Sequence, residues 1–310
     1  MVGDASQTAF AQGPRDPEEL EATAGATKGE ISALTTMGEM HLTVSDLARS
    51  VEYYRGAVGL DVLEQGPGRA TLGVAGRGLL VLVEEVGARP AFGHTGLYHF
   101  ALLVPGRLDL ARWLAHAGRD RVALTGVADH FVSEALYLSD PDQHGIEIYW
   151  DRPREVWEGQ VAARMTTERL DIDGLLGELD EPESGQYAGL PDGTMMGHVH
   201  LKVAAIAETI EFYRDVLGFG LMAQLGAQAA FLGAGGYHHH LGANTWESAG
   251  ASPPAVGMAA LRHATIVLPD DAERDRVLGR LAPDPHRPHE TPAGPIVHDP
   301  SGNALLLAIP

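Results

Sequence analysis

The sequence predicts an α+β fold built from four copies of a βαβββ unit. Four short apolar or alternating segments have the pattern of a first strand, at residues 40–44, 98–104, 198–203 and 263–268. A helical pattern follows, and then about three short strands separated by Gly or Asp-Pro turns. The length of 310 residues, with 45% apolar and 21% charged residues, is typical of a globular protein with more than one domain.

The clearest helical patterns follow the first and third of these strands. Asp46 is a natural N-cap, and it predicts a helix over residues 47–58 that ends at Gly59. The same plan recurs over residues 207–217, where Gly218 follows. This recurrence at long range is the signature of an internal repeat.

The repeats divide the chain into two halves. Units one and two cover residues 37–150, a first domain, and units three and four cover residues 196–310, a second domain. Residues 151–195 are acidic and irregular, which predicts a linker with one helix near 173–179. Residues 1–36 are rich in Ala, Gly, Glu and Thr and predict a flexible N-terminal tail.

Composition narrows the classes of function. A formal net charge of −20 argues against a nucleic-acid or anionic-membrane surface, so we expect a small-molecule partner. The chain has no Cys and 15 His, so a transition metal would be held by nitrogen and oxygen ligands, which suit iron, manganese or zinc. With no secretory signal and no apolar run of about 20 residues, the expected location is the cytoplasm.

Several motifs resemble those of one family. A Tyr-Leu-Ser-Asp-Pro run at 137–141, Asp-Arg-Pro at 151–153 and a Gly-Tyr-His-His-His run at 236–240 accompany the four-unit plan. Together they resemble the vicinal oxygen chelate superfamily, and within it they are most similar to catechol-2,3-dioxygenase-type extradiol dioxygenases. The resemblance covers nearly everything after residue 37. It implies two tandem vicinal-oxygen-chelate domains, with curved mixed sheets around a metal cavity.

The resemblance also implies where metal ligands arise, namely at the start of the first strand and in the last strand of a unit. Aligning the strand patterns puts four residues at the first-strand position: Glu39, His99, His198 and His263. The repeated Asp-Pro turn aligns Glu147 of unit two with Leu306 of unit four. Leucine cannot bind a metal, so the possible pairings of units differ in the ligands they supply.

Only the pairing of units two and three supplies two histidines and one carboxylate. The predicted ligands are therefore His99, Glu147 and His198, in a cavity shared across the linker. This set is typical of non-haem Fe(II) oxygenases, and Mn(II) is the alternative metal. His41 is a rival third ligand, but it lies two residues, about 6.6 Å along a strand, from the aligned position of Glu39.

By the same resemblance, His130 is the acid–base histidine and Tyr137 the phenol that hydrogen-bonds a substrate oxygen. A third catalytic histidine is expected in the 238–240 run, with His239 the best match and His238 or His240 as alternatives. His200 and His240 are expected to contact substrate. In the turn at 140–145, Gln143-His144 replaces the usual Gly-Asn, so His144 is read as a turn residue, with a pocket role left open.

The implied function is Fe(II)-dependent extradiol cleavage of an aromatic diol with O2, in the degradation of aromatic compounds. A homo-oligomer is expected, because the strand edges of paired units often associate. Two alternatives stay open. A glyoxalase-type isomerase would use Glu39, His99 and Glu147, and a binding protein of the same fold would have the cavity without a metal.

Overall fold

A computed structural model of the chain describes residues 27, 29–179, 187–282 and 286–310. The predicted α+β repeat is confirmed. Unit one comprises β1 (Thr36–Val44), α1 (Leu47–Tyr53), a π-helical turn (Tyr54–Val58), β2 (Asp61–Gly66), β3 (Arg69–Val74) and β4 (Arg77–Glu84). After the short strand β5 (Arg89–Pro90), unit two comprises β6 (Gly96–Leu103), α2 (Arg107–Asp120), β7 (Gly126–Asp129), β8 (Ser133–Ser139) and β9 (Gly145–Asp151).

The second half repeats this plan. Three short helices connect the halves, α3 (Arg154–Trp157), α4 (Val161–Arg164) and α5 (Ile172–Leu176). Unit three comprises β10 (Met195–Lys202), α6 (Ile206–Ile210), a π-helical turn (Glu211–Val216), β11 (Gly220–Leu225), β12 (Ala229–Gly233) and β13 (Leu241–Asn244). After β14 (Met258–Ala259), unit four comprises β15 (Leu261–Val267), α7 (Asp271–Leu281), β16 (His289–Thr291), β17 (Gly294–His298) and β18 (Ala304–Ala308).

The local signals act as the sequence predicts. The side chain of Asp46 accepts a hydrogen bond from the backbone amide of Arg49, which caps α1. Gly59, with φ of 94°, and Gly218, with φ of 93°, take the left-handed conformation that ends a helix at low cost. The predicted helix near 173–179 is shorter and begins earlier, as α5.

The units pair across the linker to form two eight-stranded mixed sheets. One sheet has the order β16-β17-β18-β15-β1-β4-β3-β2 and joins unit one to unit four. The other has the order β11-β12-β13-β10-β6-β9-β8-β7 and joins unit two to unit three. At each centre two first strands run antiparallel, β1 with β15 and β6 with β10. The two sheets therefore divide the chain differently from the predicted domains 37–150 and 196–310.

Each half of the chain has one buried tyrosine–aspartate pair that joins its two units, which belong to different sheets. Tyr54 of unit one donates its hydroxyl to Asp140 of unit two at 2.9 Å. Tyr213 of unit three likewise donates to Asp299 of unit four at 3.1 Å. Burial raises the pKa of both aspartates, and it raises the pKa of both tyrosines well above the usual value. Each pair therefore satisfies polar atoms that water does not reach.

Part of the predicted N-terminal tail packs on unit three. Ile31 is buried, and its backbone amide donates to the carbonyl of Gly218 at 2.8 Å. Residues 29–35 thus belong to the packed structure, while residues 1–26 and 28 of the predicted tail lie outside the described residues. Within the described part of the chain, no helix combines the length and apolar character that crossing a membrane requires.

We expect Tyr54→Phe to lower the free energy of unfolding by about 1–3 kcal/mol, because the buried Asp140 oxygen loses its hydroxyl donor. Tyr213→Phe should cost a similar amount, since it removes the equivalent bond. Urea denaturation followed by circular dichroism would measure both. Unchanged unfolding midpoints in the two variants would contradict a stabilising role for these pairs.

Candidate metal centre

The three predicted metal ligands lie on adjacent strands of the sheet that joins units two and three. His99 is on β6, Glu147 on the neighbouring β9 and His198 on β10 at its other side. Ala101 of β6 is in register with both Glu147 and His198. Side chains two residues apart share a face of a strand, so His99 projects on the same face as Ala101. The small Ala101 side chain leaves room between the three ligands.

The ligand atoms converge as a metal site requires. The Nε2 atoms of His99 and His198 each lie 3.0 Å from the same carboxylate oxygen, Oε2 of Glu147. Two ligands at right angles with metal bonds of about 2.1 Å would be about 3.0 Å apart, so the spacing fits a divalent transition metal. His99, Glu147 and His198 are all buried, and both Nε2 atoms face the one carboxylate oxygen, as ligands of a shared metal would.

Electrostatics favours the ligating forms of these side chains. Burial alone would raise the pKa of Glu147, but the imidazoles of His198 and His99 outweigh it and hold that pKa well below its usual range. Burial lowers the pKa of His198. The carboxylate is therefore charged and this imidazole neutral, which are the protonation states that bind a metal. Among the described residues, these three are a group of His, Asp or Glu side chains with ligand atoms within 4.8 Å of one another.

His130 and Tyr137 form a hydrogen-bonded pair at the edge of this site. The Tyr137 hydroxyl lies 2.7 Å from Nε2 of His130, and Nδ1 of His130 lies 2.9 Å from the carbonyl oxygen of Thr166. A carbonyl oxygen only accepts, so Nδ1 carries the proton and Nε2 of a neutral ring accepts from the phenol. Tyr137 is also in register with Glu147 on the next strand, which places the pair beside the ligands.

Of the two histidines predicted to contact substrate, His200 lines the cavity and His240 does not. His200 and His239 line the cavity beside the ligands, and burial holds the pKa of each well below its usual value. His240 is not among the lining residues. Its Nδ1 accepts the backbone amide of Ala234 at 3.1 Å, and burial lowers its pKa to about 3.

This geometry corrects the expected substrate contact of His240. The chain bends at His238 and His240, just before β13, so strand alternation does not set the directions of these three rings. His239 lines the cavity, and its two neighbours do not. His238 also stays outside the lining, where it hydrogen-bonds Asp151 and His239.

Sequence reasoning missed part of the cavity wall. Residues 165–167 of the predicted linker line the cavity, and so do three apolar residues of unit three, Ala223, Leu225 and Phe231. The linker residues carry no motif that could have signalled this position. By contrast, Tyr149 and Asp151 follow Glu147 on β9 at a spacing of two residues. Strand periodicity therefore predicts that they lie on the same face of the strand as Glu147.

The residues aligned with these ligands in the other sheet do not form an equivalent site. His41 and His263 are paired across β1 and β15, and their rings stack with centroids 3.9 Å apart. Glu39 lies 3.4 Å from His41, in a different sheet from His99 and Glu147. The Glu39–His99–Glu147 set of the isomerase alternative is therefore not assembled, and His41 is not a third ligand of the cavity.

His144 is a turn residue, as favoured from the sequence. Its buried ring bonds the carbonyl oxygen of Thr43 through Nε2 at 2.9 Å. Asn303 makes the equivalent contact, from Nδ2 to the carbonyl of Lys202 at 3.3 Å. Gln143 takes the left-handed conformation at φ of 71°, where the equivalent turn of unit four has Gly302 at φ of 83°.

Comparisons with known proteins agree with this architecture. The model of the Glyoxalase/Bleomycin resistance protein/Dioxygenase superfamily matches residues 36–148 and 195–307. A catechol-2,3-dioxygenase of Bacillus subtilis strain 168 is 40% identical over 281 residues, which cover 89% of this chain and 97% of that protein.

Solved structures agree in fold at low sequence identity. Glyoxalase I from Zea mays superposes with a TM-score of 0.53 at 18% identity, covering 88% of this chain and 92% of that one. The cppA protein of Streptococcus pneumoniae TIGR4 superposes with a TM-score of 0.51 at 12% identity, covering 92% of this chain and all of that one, 100%.

Loss of a residue that hydrogen-bonds a metal ligand weakens metal binding by about 10–100-fold. We expect His198→Ala, which removes a ligand itself, to weaken divalent metal binding by more than this. His263→Ala removes the aligned histidine of the other sheet and should leave metal binding unchanged. Titration calorimetry with Zn(II) and metal analysis after dialysis would measure both variants. Equal losses in the two variants would contradict the assignment of the ligands.

Proposed function

Because this chain belongs to the Glyoxalase/Bleomycin resistance protein/Dioxygenase superfamily, we propose that it is an Fe(II)-dependent extradiol dioxygenase. Its substrates would be an aromatic diol of the catechol type and O2. The similarity to a catechol-2,3-dioxygenase along almost the whole of both chains supports this class of enzyme. Fe(II) is the proposed metal, with Mn(II) as the alternative.

One observation carries the proposal: two histidines and one glutamate converge at the wall of a cavity. Three protein ligands on one side leave positions on the other side for substrate and O2. His200, His239 and Tyr137 line the same cavity, so hydrogen-bonding side chains surround those positions. For iron, a set of two histidines and one glutamate is more suitable than the glutamate-rich set of the isomerase alternative.

The metal, when bound, supplies a Lewis acid for the diol and one-electron chemistry with O2. His99, Glu147 and His198 would hold it. With two neutral imidazoles and one carboxylate, a divalent ion keeps a net charge of +1, which favours a substrate that has lost one proton.

The remaining cavity side chains would handle protons. His239 would accept a proton from a substrate hydroxyl, and the apolar wall beside it would keep water from competing. Tyr137 would hydrogen-bond a substrate oxygen through its hydroxyl. His130, behind that phenol, would exchange a proton with it during ring opening, because its Nε2 lies 2.7 Å from the phenol oxygen.

The binding-protein alternative gives these side chains no task. Burying a carboxylate and several imidazoles costs free energy, and an apolar lining would suit a passive aromatic ligand equally well. We therefore favour catalysis over sequestration.

The decisive experiment measures O2 uptake and the absorbance of a yellow semialdehyde product after anaerobic loading with Fe(II) and addition of catechol. We expect uptake to match product, and both to disappear in His198→Ala, because that variant lacks one ligand. His263→Ala, with the same substitution in the other sheet, serves as the control. Activity that survives in His198→Ala, or no uptake with a panel of catechols and hydroquinones, would refute the proposal.

We expect Tyr137→Phe to lower kcat by about 100-fold or more while metal content stays at the wild-type level, in line with the about 10²–10⁴-fold that acid–base groups contribute. Phe keeps the ring and removes the hydroxyl that links substrate to His130. Steady-state kinetics with metal analysis would test this. A variant with full kcat would exclude the phenol from the reaction.

A further inference from the structure

A chain of hydrogen bonds runs from the cavity to a carboxylate on the far side of the 238–240 run. Nδ1 of His239 lies 2.8 Å from Nδ1 of His238. Nε2 of His238 lies 2.8 Å from Oδ1 of Asp151. The His238 ring is fully buried and packs edge-on against Trp157, with centroids 5.4 Å apart, so it has little freedom to rotate.

Asp151 is held by a second contact. Tyr237 donates its hydroxyl to Oδ2 of Asp151 at 2.8 Å, and the Tyr149 hydroxyl lies 2.8 Å from that of Tyr237. Burial raises the pKa of both tyrosines well above the usual value, so both phenols keep their protons. The two oxygens of Asp151 therefore have separate partners, His238 for one and Tyr237 for the other.

The direction of each hydrogen bond follows from what each group can donate. A carboxylate only accepts, so Nε2 of His238 carries the proton. A neutral imidazole has one N–H, which leaves Nδ1 of His238 as an acceptor. Nδ1 of His239 must then be the donor, and Nε2 of His239 keeps its lone pair.

We propose that Asp151 and His238 are positioning residues that fix the tautomer of His239, so that its Nε2 presents a lone pair to the cavity. His239 lines the cavity and its Nδ1 is engaged by His238, so Nε2 is the ring nitrogen left for a ligand in the cavity. This inference deepens the proposed function and rests on it for its catalytic meaning.

The consequence is chemical. With the lone pair at Nε2, His239 can take the proton of a substrate hydroxyl, which forms a new N–H bond as the O–H bond breaks. With the other tautomer it would present an N–H and could only donate. A carboxylate that orients a histidine in this way is a known device for setting which ring nitrogen is basic.

The experiment records two-dimensional ¹H–¹⁵N spectra of the ring nitrogens in the Zn(II)-loaded chain labelled with ¹⁵N-histidine. At pH 8 an imidazole of ordinary pKa, about 6.5, is neutral. The His239 signals are identified by their loss in His239→Gln. We expect Nδ1 of His239 to carry the proton in the wild-type chain. A proton on Nε2 would overturn the proposal without any variant.

Asp151→Ala and Tyr237→Phe are matched variants of the same network. Asp151→Ala removes the acceptor of His238, so the proton of His239 should move at least partly to Nε2. Tyr237→Phe removes a donor to Asp151 but leaves that acceptor, so the tautomer of His239 should not change. The same tautomer in Asp151→Ala as in the wild-type chain, or equal changes in both variants, would show that Asp151 is merely structural.

Kinetics with Fe(II) and catechol then connects the tautomer to the reaction. We expect Asp151→Ala to lower kcat about 10-fold or more, because a proton on Nε2 of His239 prevents that nitrogen from accepting one from substrate. KM and metal content should change little, because the metal ligands are intact. Since the spectra do not require turnover, a chain that cleaves no catechol would refute the proposed function and leave the tautomer result standing. An unchanged kcat in a variant whose tautomer has moved would refute the catalytic meaning alone.

Discussion

The antiparallel pairing of β6 with β10 is the constraint on which the candidate site depends. It joins strands from opposite sides of the linker and brings His198 into the sheet that carries His99 and Glu147. Because side chains alternate along a strand, a slip of one residue in this register would turn His198 to the opposite face. The metal ligands and the sheet are therefore specified together, and neither half of the chain supplies the site alone.

Two kinds of contact tie the four units to one another. Strand pairing joins unit two to three and unit one to four, whereas the buried Tyr54–Asp140 and Tyr213–Asp299 pairs join one to two and three to four. Each unit is thus bound to two others. This arrangement resists sliding at the β6–β10 pairing, because a shift there would also have to move the turn that Asp140 organises by accepting the amides of Asp142 and His144.

Much of the fold and the ligand set could be predicted from sequence, since both depend on local patterns that repeat. The resemblance to the vicinal oxygen chelate superfamily indicated which strand positions carry ligands. Aligning the strand patterns then placed His99 and His198 at equivalent positions, and Leu306 excluded the other sheet. The role of His240 could not be predicted in this way, because three consecutive histidines look alike until the chain before β13 fixes which ring faces inward. The position of residues 165–167 in the cavity wall could not be predicted either. Tertiary packing brings them there, and their sequence has no periodic pattern that indicates a position.

Burial explains why one face of the sheet suits acid–base chemistry. The cavity side chains lie among apolar groups, and loss of water lowers the pKa of His198, His200 and His239. Neutral imidazoles can bind a metal or accept a proton, but each neutral ring has two possible tautomers, and burial does not choose between them. Hydrogen-bond acceptors make that choice: the carbonyl of Thr166, in the cavity wall, sets it for His130, and Asp151, through His238, sets it for His239. The acceptors that pair with these rings thus decide which ring nitrogens can accept a proton in the cavity.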